Sequence, residues 1–381
     1  MVPQEPAPIT ATCAMGATYM HNGAMARLGI VGLANTGKTT LFNALTGLAA
    51  PAAAHPYSTV EPNVGVANVP DERLEVAARL EGSARVVHAT LELMDLPPLS
   101  REGGSPARQF MGRLREMEAL VLVLRAFTDP TVPSAASGTD PVAQAEELLL
   151  ELALADHEVF ARRSERLAKE SAADPTKRSA ARAVEEAADR LSNGEALRTR
   201  EWSEEALSAF RELAPLTLKP AVWVINIDEG AGAPDQLVES VRAVVPSPDV
   251  VVAISARLEE EGARLAPEER AELYEGLGLG EGALARMVQA AYEGLGLISF
   301  YTVGPKESRA WTVRAGATAP EAAGKIHSDL ERGFIRVEVA TLDAVLDAGG
   351  WDNAKKAGRV RVEGKGYVVQ PDDVLVVRFS V

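Results

Sequence analysis

The sequence predicts an α/β protein in three parts: a mostly parallel sheet around a phosphate-binding loop, an inserted helical hairpin, and a small α+β domain at the carboxyl end. Three observations support this prediction. A glycine-rich loop follows the first apolar run, and later apolar runs each end in polar residues. A stretch with apolar residues at three- and four-residue steps interrupts the series of runs.

The glycine-rich loop, residues 32–39, has the sequence GLANTGKT and fits G-x-x-x-x-G-K-[ST] at every position. Its glycines let successive backbone N–H groups surround a phosphate, and the helix that follows adds the positive end of its dipole. The apolar runs at residues 27–31 and 41–45 supply the strand and the helix that this loop needs. The alternative is a glycine-rich turn with an exposed lysine. The motif therefore predicts a P-loop NTPase of the Ras-like type.

Two side chains of the loop have roles that their chemistry suggests. Lys38 would neutralise the β- and γ-phosphates and is the candidate catalytic cation, and Thr39 would offer its hydroxyl to Mg²⁺. The residues expected to hold the phosphates and the metal are Gly32, Asn35, Thr36, Gly37, Lys38, Thr39 and Thr40.

Length and composition limit the class of protein. At 381 residues with a formal net charge of −15, the chain exceeds one ordinary core and is too acidic for broad nucleic-acid binding, so no DNA partner is expected. One cysteine, Cys13, excludes a disulfide framework. No apolar run approaches the roughly 18 residues of a membrane span, and residues 1–25 lack a secretory-signal pattern. We expect a cytoplasmic protein with a disordered extension at residues 1–25, Met25 being an alternative start.

Two further side chains are candidate partners of the metal. Thr59 precedes a predicted strand at residues 60–69, where its hydroxyl would complete the Mg²⁺ shell and sense the γ-phosphate. The alternative for Thr59 is a turn threonine. Asp95 follows a predicted strand at residues 89–94, where P-loop folds place a carboxylate for Mg²⁺, and its alternative role is that of a cap.

The segment after Asp95 departs from the usual D-x-x-G pattern, because residues 95–98 are Asp-Leu-Pro-Pro. Pro98 replaces the glycine whose N–H would reach the γ-phosphate and whose freedom would hinge the loop. Proline has no N–H and a fixed φ. We therefore expect a compromised switch.

Three later apolar runs predict buried parallel strands at residues 120–127, 221–225 and 250–254. The second run ends in Asn226-Ile227-Asp228-Glu229, at the place where GTP-binding relatives of this fold carry N-K-x-D. Glu229 is a longer carboxylate than the aspartate that pairs with guanine, so guanine selectivity is not assured. The residues expected around the base are Asn226, Ile227, Glu229, Ser255 and Ala256.

Apolar residues at helical spacing fill residues 141–159, and a second helix is predicted at residues 177–191 after the Asp174-Pro175 break. This pattern predicts an antiparallel helical hairpin inserted into the nucleotide-binding domain. Its basic residues could form a docking face or a salt-bridged solvent surface. These residues are Arg162, Arg163, Arg166, Lys177, Arg178 and Arg182.

The carboxyl end alternates and clusters as strands around short helices, at residues 299–303, 310–313, 333–339 and 366–381. Its local balance is basic, which suits either RNA phosphate or ordinary solubility. We expect a nucleotide-binding domain at residues 26–128 and 216–297, the hairpin at 129–215 and this domain at 298–381.

Over residues 26–381 the chain resembles the YchF subfamily of Obg-related P-loop proteins, the Obg-like ATPases. The segments that carry the resemblance are GLANTGKTTLFNALTG, STVEPNVGVANVPD, NIDE, ISARLEEE and RAWTVRAGATAPEAAGKIHSDLERGFIR. The last segment is long and idiosyncratic, and it is similar to the TGS module of that family. It is more specific than any nucleotide motif.

The resemblance implies an ATPase rather than a GTPase, with a coiled-coil hairpin, a TGS domain and association with ribosomes. It implies that Leu99 takes the place of the water-orienting glutamine of other GTPases, and that Asn35 matches the asparagine that helps to hold K⁺ in K⁺-dependent relatives. Two departures, at Pro98 and at Leu122 where family members have a histidine, predict weakened hydrolysis.

Our leading hypothesis is an ATP-binding, Mg²⁺-dependent protein, with K⁺ as a second candidate ion, that acts slowly as a ribosome-associated regulator. A GTP-dependent switch with full turnover is the first alternative. A non-catalytic scaffold, in which nucleotide only orders the fold and a partner binds the hairpin and the C-terminal domain, is the second.

Overall fold

The computed structural model describes residues 26–50, 62–98, 105–133, 138–229, 234–276 and 283–380. The expected extension at residues 1–25, with Cys13 and Met25, lies outside the described residues. The strands are Arg27–Gly32 (β1), Asn63–Asn68 (β2), Val86–Val87 (β3), Thr90–Asp95 (β4), Ala119–Arg125 (β5), Ala221–Asn226 (β6), Val250–Ile254 (β7), Leu297–Thr302 (β8), Ser308–Arg314 (β9), Phe334–Thr341 (β10), Arg361–Glu363 (β11) and Asp373–Phe379 (β12). The helices are Lys38–Thr46 (α1), Glu72–Glu81 (α2), Ser105–Arg115 (α3), Pro141–Ala173 (α4), Arg178–Ser192 (α5), Glu204–Phe210 (α6), Pro234–Arg242 (α7), Ala256–Gly262 (α8), Pro267–Gly276 (α9), Ala283–Gly294 (α10), Ala319–Ile326 (α11), Ser328–Arg332 (α12), Leu342–Ala348 (α13) and Trp351–Lys356 (α14).

The first sheet has the strand order β2-β4-β1-β5-β6-β7. β1 pairs in parallel with β4 and β5, and β5, β6 and β7 continue the parallel series. All residues of β5 and β6 are buried, which explains why both appear in the sequence as unbroken apolar runs. Because parallel strands share a direction, the carboxyl ends of β1, β4, β5, β6 and β7 meet at one edge of the sheet.

The helical hairpin consists of α4 and α5, joined by a short 3₁₀ turn at Pro175–Lys177. Asp140 caps α4 by accepting a hydrogen bond from the Val142 N–H at 2.9 Å, with Pro141 in the first turn. The apolar faces of both helices close over a core that includes Phe160 and Val184. The hairpin therefore owes its stability to its own packed seam as well as to its sequence pattern.

Part of the basic surface predicted on the hairpin is salt-bridged. Arg162 pairs with Glu158 at 3.4 Å, while Lys177 and Arg163 share Glu170 at 2.9 and 3.9 Å. Pairs of this exposed kind contribute little to stability, about 0–1 kcal/mol each. The docking role of the remaining basic residues stays a prediction.

Contacts divide the chain into two compact units at places other than the predicted domain boundaries. One unit comprises residues 26–67 and 92–295, so the hairpin and the first sheet belong together. The other comprises residues 68–91 and 296–380, which brings α2 and β3 into the C-terminal unit. The reason is non-local pairing, because β3 joins the second sheet beside β9.

The C-terminal unit is built on a second sheet with the order β11-β10-β12-β8-β9-β3. A capping box between Thr318 and Glu321 starts α11, whose alanines pack on Val337 and Leu375 of the sheet. Residues 68–91 are held in this unit by Arg73, which binds Asp372 at 2.6 Å, and by Glu81, which accepts the Trp351 N–H at 2.6 Å. Tyr301 adds a hydrogen bond to Asp71, the N-cap of α2.

Among the described helices, none combines the length and the apolar character that a bilayer crossing requires.

Candidate nucleotide-binding site

The predicted phosphate loop connects β1 to α1 at the carboxyl edge of the first sheet. Gly37 caps α1 with a left-handed φ of 92°, and Asn35 has a φ of 61°. A Cβ on Gly32 would lie 2.5 Å from the Val123 carbonyl oxygen, and one on Gly37 would overlap the Asn226 side chain. Glycine is therefore required at both positions, because the backbone passes too close to its neighbours for any side chain. In a loop of this kind at the start of a helix, the backbone N–H groups can receive phosphate oxygens.

Lys38 lies at the start of α1 and is only 8% exposed. Its ammonium donates a hydrogen bond to the Leu33 carbonyl oxygen at 2.8 Å, across the mouth of the loop. Burial lowers the pKa of Lys38 to about 8, and the nearby carboxylate of Asp95 partly opposes this by favouring the charged form. A phosphate group in the loop would add negative charge beside this buried cation and so stabilise its charged form further.

Thr39 and Asp95 are brought together from the first turn of α1 and the end of β4. The Thr39 hydroxyl donates to Asp95 Oδ2 at 2.8 Å, and the Asn63 side-chain amide donates to the same oxygen at 3.2 Å. Asp95 is 7% exposed, so this carboxylate is largely removed from water. Its position at the strand end is the one the sequence predicted.

The donor set around Asp95 fits a magnesium ion. A hydroxyl and a carboxylate oxygen are hard ligands of the kind Mg²⁺ prefers, and the ion usually completes its shell with phosphate and water. Within the described ranges, no group of three or more His, Cys, Asp or Glu residues could hold a metal without such help. Magnesium binding here would therefore depend on nucleotide.

Asn226 ends β6 and joins two loops. Its amide nitrogen donates to the Thr36 carbonyl oxygen at 3.0 Å, and its amide oxygen accepts the Ala256 N–H at 3.0 Å. The side chain is 5% exposed. Asn226 thus holds the phosphate loop against the start of α8, a positioning role that the sequence pattern did not reveal.

The other residues predicted around the base lie on the loops after β6 and β7. Ile227 donates its N–H to the Ile254 carbonyl oxygen at 2.9 Å, and Ser255 caps α8 through the Leu258 N–H. Glu229 is exposed and lies 3.6 Å from Arg257. The structure brings these residues to the same edge as the phosphate loop.

A further wall of the site, residues 127–133, follows β5 and was not predicted. Asn35 donates from its side-chain amide to the Pro133 carbonyl oxygen at 3.1 Å, and the Phe127 ring comes within 3.9 Å of the position that a Cβ on Gly37 would occupy. The sequence signal was present but faint: Arg125 interrupts an otherwise apolar run immediately before this loop.

Four predicted positions contribute no contact to the site that the structure describes. Thr59 and Leu99 lie outside the described residues. Pro98 is half-buried beyond the end of β4, and Leu122 is fully buried within β5, where an apolar side chain fills the core.

Two family models match the chain. A model described as "50S ribosome-binding GTPase" covers residues 27–157, and the YchF-GTPase C-terminal model, described as a protein of unknown function, covers residues 297–380.

Full-length relatives extend these matches. "Ribosome-binding ATPase YchF" of Escherichia coli O157:H7 is 38% identical over 360 residues, which is 93% of this chain and 99% of that protein. The protein of the same name from Bacillus subtilis (strain 168) is 37% identical over 363 residues, with the same coverage of 93% and 99%. "Obg-like ATPase 1" of Oryza sativa subsp. japonica is 32% identical over 364 residues and is covered to 92%.

The fold agrees with a solved structure of this kind. The YchF GTPase of Schizosaccharomyces pombe superposes with a TM-score of 0.81 at 26% identity, covering 94% of this chain and 99% of that one. The predicted P-loop fold with its C-terminal domain is confirmed. On identity over nearly the whole length, on the two family models and on the shared fold, the chain belongs to the YchF family of P-loop NTPases.

Proposed function

We propose that this chain binds Mg²⁺ and ATP, with GTP as a weaker ligand, hydrolyses the nucleotide slowly, and acts in the cytoplasm as a ribosome-associated regulator. The observation that carries the proposal is the phosphate loop, whose two glycines have no room for a side chain and whose lysine is buried beside Asp95. The names of the full-length relatives, ribosome-binding ATPases, support the nucleotide and the partner.

Different groups of the site would bind the phosphates and the metal ion. Backbone N–H groups of residues 32–39 and the Lys38 ammonium would hold the phosphate oxygens and stabilise charge that develops on them. Thr39 and Asp95 would hold Mg²⁺, which would neutralise negative charge on the phosphates. No protein group need bond covalently to the phosphorus, since water is the nucleophile.

Slow turnover follows from the segment after Asp95. A glycine N–H at position 98 would stabilise the γ-phosphate as charge builds, and Pro98 has no such group. Restoring the donor with Pro98→Gly should raise the single-turnover rate of ATP hydrolysis by about a hundredfold, the lower end of the range for one oxyanion donor. An unchanged rate, with unchanged ATP affinity, would show that this position does not limit hydrolysis.

The phosphate assignment is tested by Lys38→Ala. Loss of one charge-assisted contact should weaken Mg²⁺-ATP binding by roughly ten- to hundredfold in titration calorimetry. Lys169→Ala, which removes an exposed lysine on the hairpin, is the matched control and should leave affinity unchanged. Equal affinity of the Lys38→Ala variant and the wild type would overturn the assignment.

The choice of base, the ion and the partner need a separate measurement. Competition of ATP and GTP for a fluorescent ATP analogue should favour ATP, because Glu229 replaces the shorter carboxylate that pairs with guanine. Hydrolysis measured in K⁺ and in Na⁺, with and without ribosomes, then tests the Asn35-linked K⁺ site and the ribosomal partner. A tighter complex with GTP would favour the switch hypothesis instead.

A further inference from the structure

Arg125 is the last residue of β5 and is only 2% exposed. Its backbone is fixed at both polar atoms by one side chain: the Arg125 N–H donates to Gln144 Oε1 at 2.8 Å, and Gln144 Nε2 donates to the Arg125 carbonyl oxygen at 2.7 Å. Gln144 lies on α4 and is itself 1% exposed. The strand end from which the guanidinium projects is therefore held rigidly.

The Arg125 guanidinium is enclosed by the loop that follows it. It donates to the backbone carbonyl oxygens of Phe127 (3.3 Å), Asp129 (3.3 Å), Val132 (3.2 Å) and Pro133 (3.1 Å). It also lies over the Phe127 ring, 4.4 Å from its centroid. A buried guanidinium needs hydrogen-bond acceptors, and four carbonyl oxygens that point inward need a donor. The Arg125 side chain and the conformation of the loop therefore depend on each other.

The enclosed loop contacts both halves of the nucleotide site. At its end, the Pro133 carbonyl oxygen accepts a hydrogen bond from Asn35 of the phosphate loop at 3.1 Å. Near its start, the Thr128 N–H donates to Asp228 Oδ2 at 3.0 Å, between the base-side residues Ile227 and Glu229. The Phe127 ring lies next to Gly37 of the phosphate loop, 3.9 Å from the position that a Cβ on Gly37 would occupy.

We propose that Arg125 is a positioning residue of the nucleotide site: by holding residues 127–133 it fixes the Phe127 ring and thereby determines how tightly the nucleobase, rather than the phosphate chain, is bound. The inference rests on the proposed nucleotide binding. It gives Arg125, which does not itself contact the ligand, a role in affinity for the base. Phosphate affinity is less dependent on Arg125, because Lys38 and the N–H groups of residues 32–39 belong to other elements.

The test compares a ligand that has a base with one that has none. Arg125→Lys keeps the charge, but a single ammonium cannot span four carbonyl oxygens as the planar guanidinium does. The dissociation constant for Mg²⁺-ATP should rise by about tenfold, the loss expected for one base–aromatic stacking contact. The dissociation constant for Mg²⁺-tripolyphosphate should change by less than about threefold.

The chain offers a matched control in Arg115, the last residue of α3. Arg115 precedes the amino-terminal end of β5, whereas Arg125 lies at the carboxyl end, about 20 Å along a strand that rises ~3.3 Å per residue. Arg115 is also a largely buried arginine that donates to carbonyl oxygens, those of Ala155 (2.9 Å), Leu213 (3.3 Å) and Ala214 (3.0 Å), besides the Asp156 carboxylate. Arg115→Lys should lower the unfolding midpoint as Arg125→Lys does, but leave the ratio of the ATP and tripolyphosphate constants at its wild-type value. If the ratio shifted in both variants, general destabilisation would explain the effect of Arg125→Lys, and the proposal would be overturned.

A double-mutant cycle tests whether Arg125 acts through Phe127. If it does, Phe127→Leu should weaken ATP binding by itself, and Arg125→Lys should add little to it. Should Arg125→Lys fail to fold, Asp228→Ala removes the other attachment of the loop from an exposed position, and it should shift ATP affinity in the same direction with tripolyphosphate unaffected. Full additivity in the cycle, or equal losses for both ligands, overturns the inference, whereas a wild type that binds neither ligand overturns the proposed function itself.

Discussion

Two glycines with the same backbone conformation differ in what surrounds them. Gly37 and Gly47 cap the two ends of α1 with φ values of 92° and 66°. A Cβ on Gly37 would overlap Asn226, whereas one on Gly47 would meet no atom within 4 Å. At Gly47 only the left-handed φ disfavours a side chain. At Gly37 an added side chain would also collide with a residue of the nucleotide site.

Alanine at each position separates these two effects. Both variants should lose about 1–2 kcal/mol of stability from the left-handed backbone. Gly37→Ala should in addition weaken ATP binding by more than about tenfold, because it pushes Asn226 away from the Thr36 carbonyl. Gly47→Ala should bind ATP as the wild type does, and calorimetry together with urea unfolding checks both. Equal ATP affinity in the two variants would contradict the role given to the Gly37–Asn226 contact.

Lys219 is a fully buried cation whose effect on stability depends on pH. It donates to the carbonyl oxygens of Arg115 and Met117, and burial lowers its pKa to about 8 from 10.5, although Glu118 and Asp156 partly oppose the shift. Between pH 8 and 10.5 the unfolded chain binds more protons at this group than the folded chain, so this contribution to stability increases as the pH rises.

Lys219→Met removes this titration and provides the measurement. The unfolding free energy of the wild type minus that of the variant should rise by up to about 3 kcal/mol between pH 7 and 10.5, at ~1.4 kcal/mol per pKa unit. Other groups cancel in the difference. The measurement is urea unfolding at several pH values. A difference that stays constant over this range would show that burial does not lower the pKa of Lys219.

At the scale of elements, Asp156 joins the hairpin to the first sheet's unit. It lies fully buried on α4 and accepts four hydrogen bonds, from Arg115 (2.7 Å), the N–H groups of Leu216 (3.0 Å) and Thr217 (2.8 Å), and the Thr217 hydroxyl (2.8 Å). One carboxylate thus connects α4 to the end of α3 and to the 3₁₀ helix Leu216–Leu218.

Asp156→Ala should cost about 3–5 kcal/mol of unfolding free energy, since it leaves the Arg115 cation without its carboxylate partner and the N–H groups of Leu216 and Thr217 without their acceptor. Asp189→Ala, on the exposed face of α5, is the matched control and should change stability by less than about 0.5 kcal/mol. Similar losses in the two variants would contradict the connecting role of Asp156.

The elements that the sequence predicted are those with a strong local signal. β1, β5 and β6 are apolar runs, the phosphate loop follows from glycine spacing, and α4 has a capped start with helical periodicity. The assignment of α2 and β3 to the C-terminal unit had no such signal. β3 has two residues, Val86 and Val87, and its place is decided by pairing with a strand more than 200 residues away, which no local pattern encodes.

In the candidate site, too, the sequence predicted only the residues that a local pattern marks. Lys38, Thr39 and Asp95 follow from motif and strand-end placement, and the structure brings them together. The roles of Asn226 and Arg125 could not be predicted, because each depends on which carbonyl groups a distant loop turns towards it.

For the molecule as a whole, residues 68–91 should fold only together with the chain beyond residue 296. In a chain truncated after residue 295, Asp71, Arg73 and Glu81 lose Tyr301, Asp372 and Trp351 as partners. Backbone amides of α2 should then exchange hydrogen at least 100-fold faster than in the full chain, an estimate that corresponds to about 3 kcal/mol of lost protection. Amides of α4 serve as the internal control and should keep their protection; retained protection of α2 would contradict the division into two units.

The same discontinuity sets an order for synthesis. About 200 residues separate the first part of the C-terminal unit from the strands that complete it. At roughly 5–20 residues per second, α2 and β3 leave the translating ribosome some 10–40 s before β8 and β9 exist. During that interval the nascent segment exposes the apolar side of α2, with Leu74, Ala77 and Ala78, to whatever surrounds the exit tunnel.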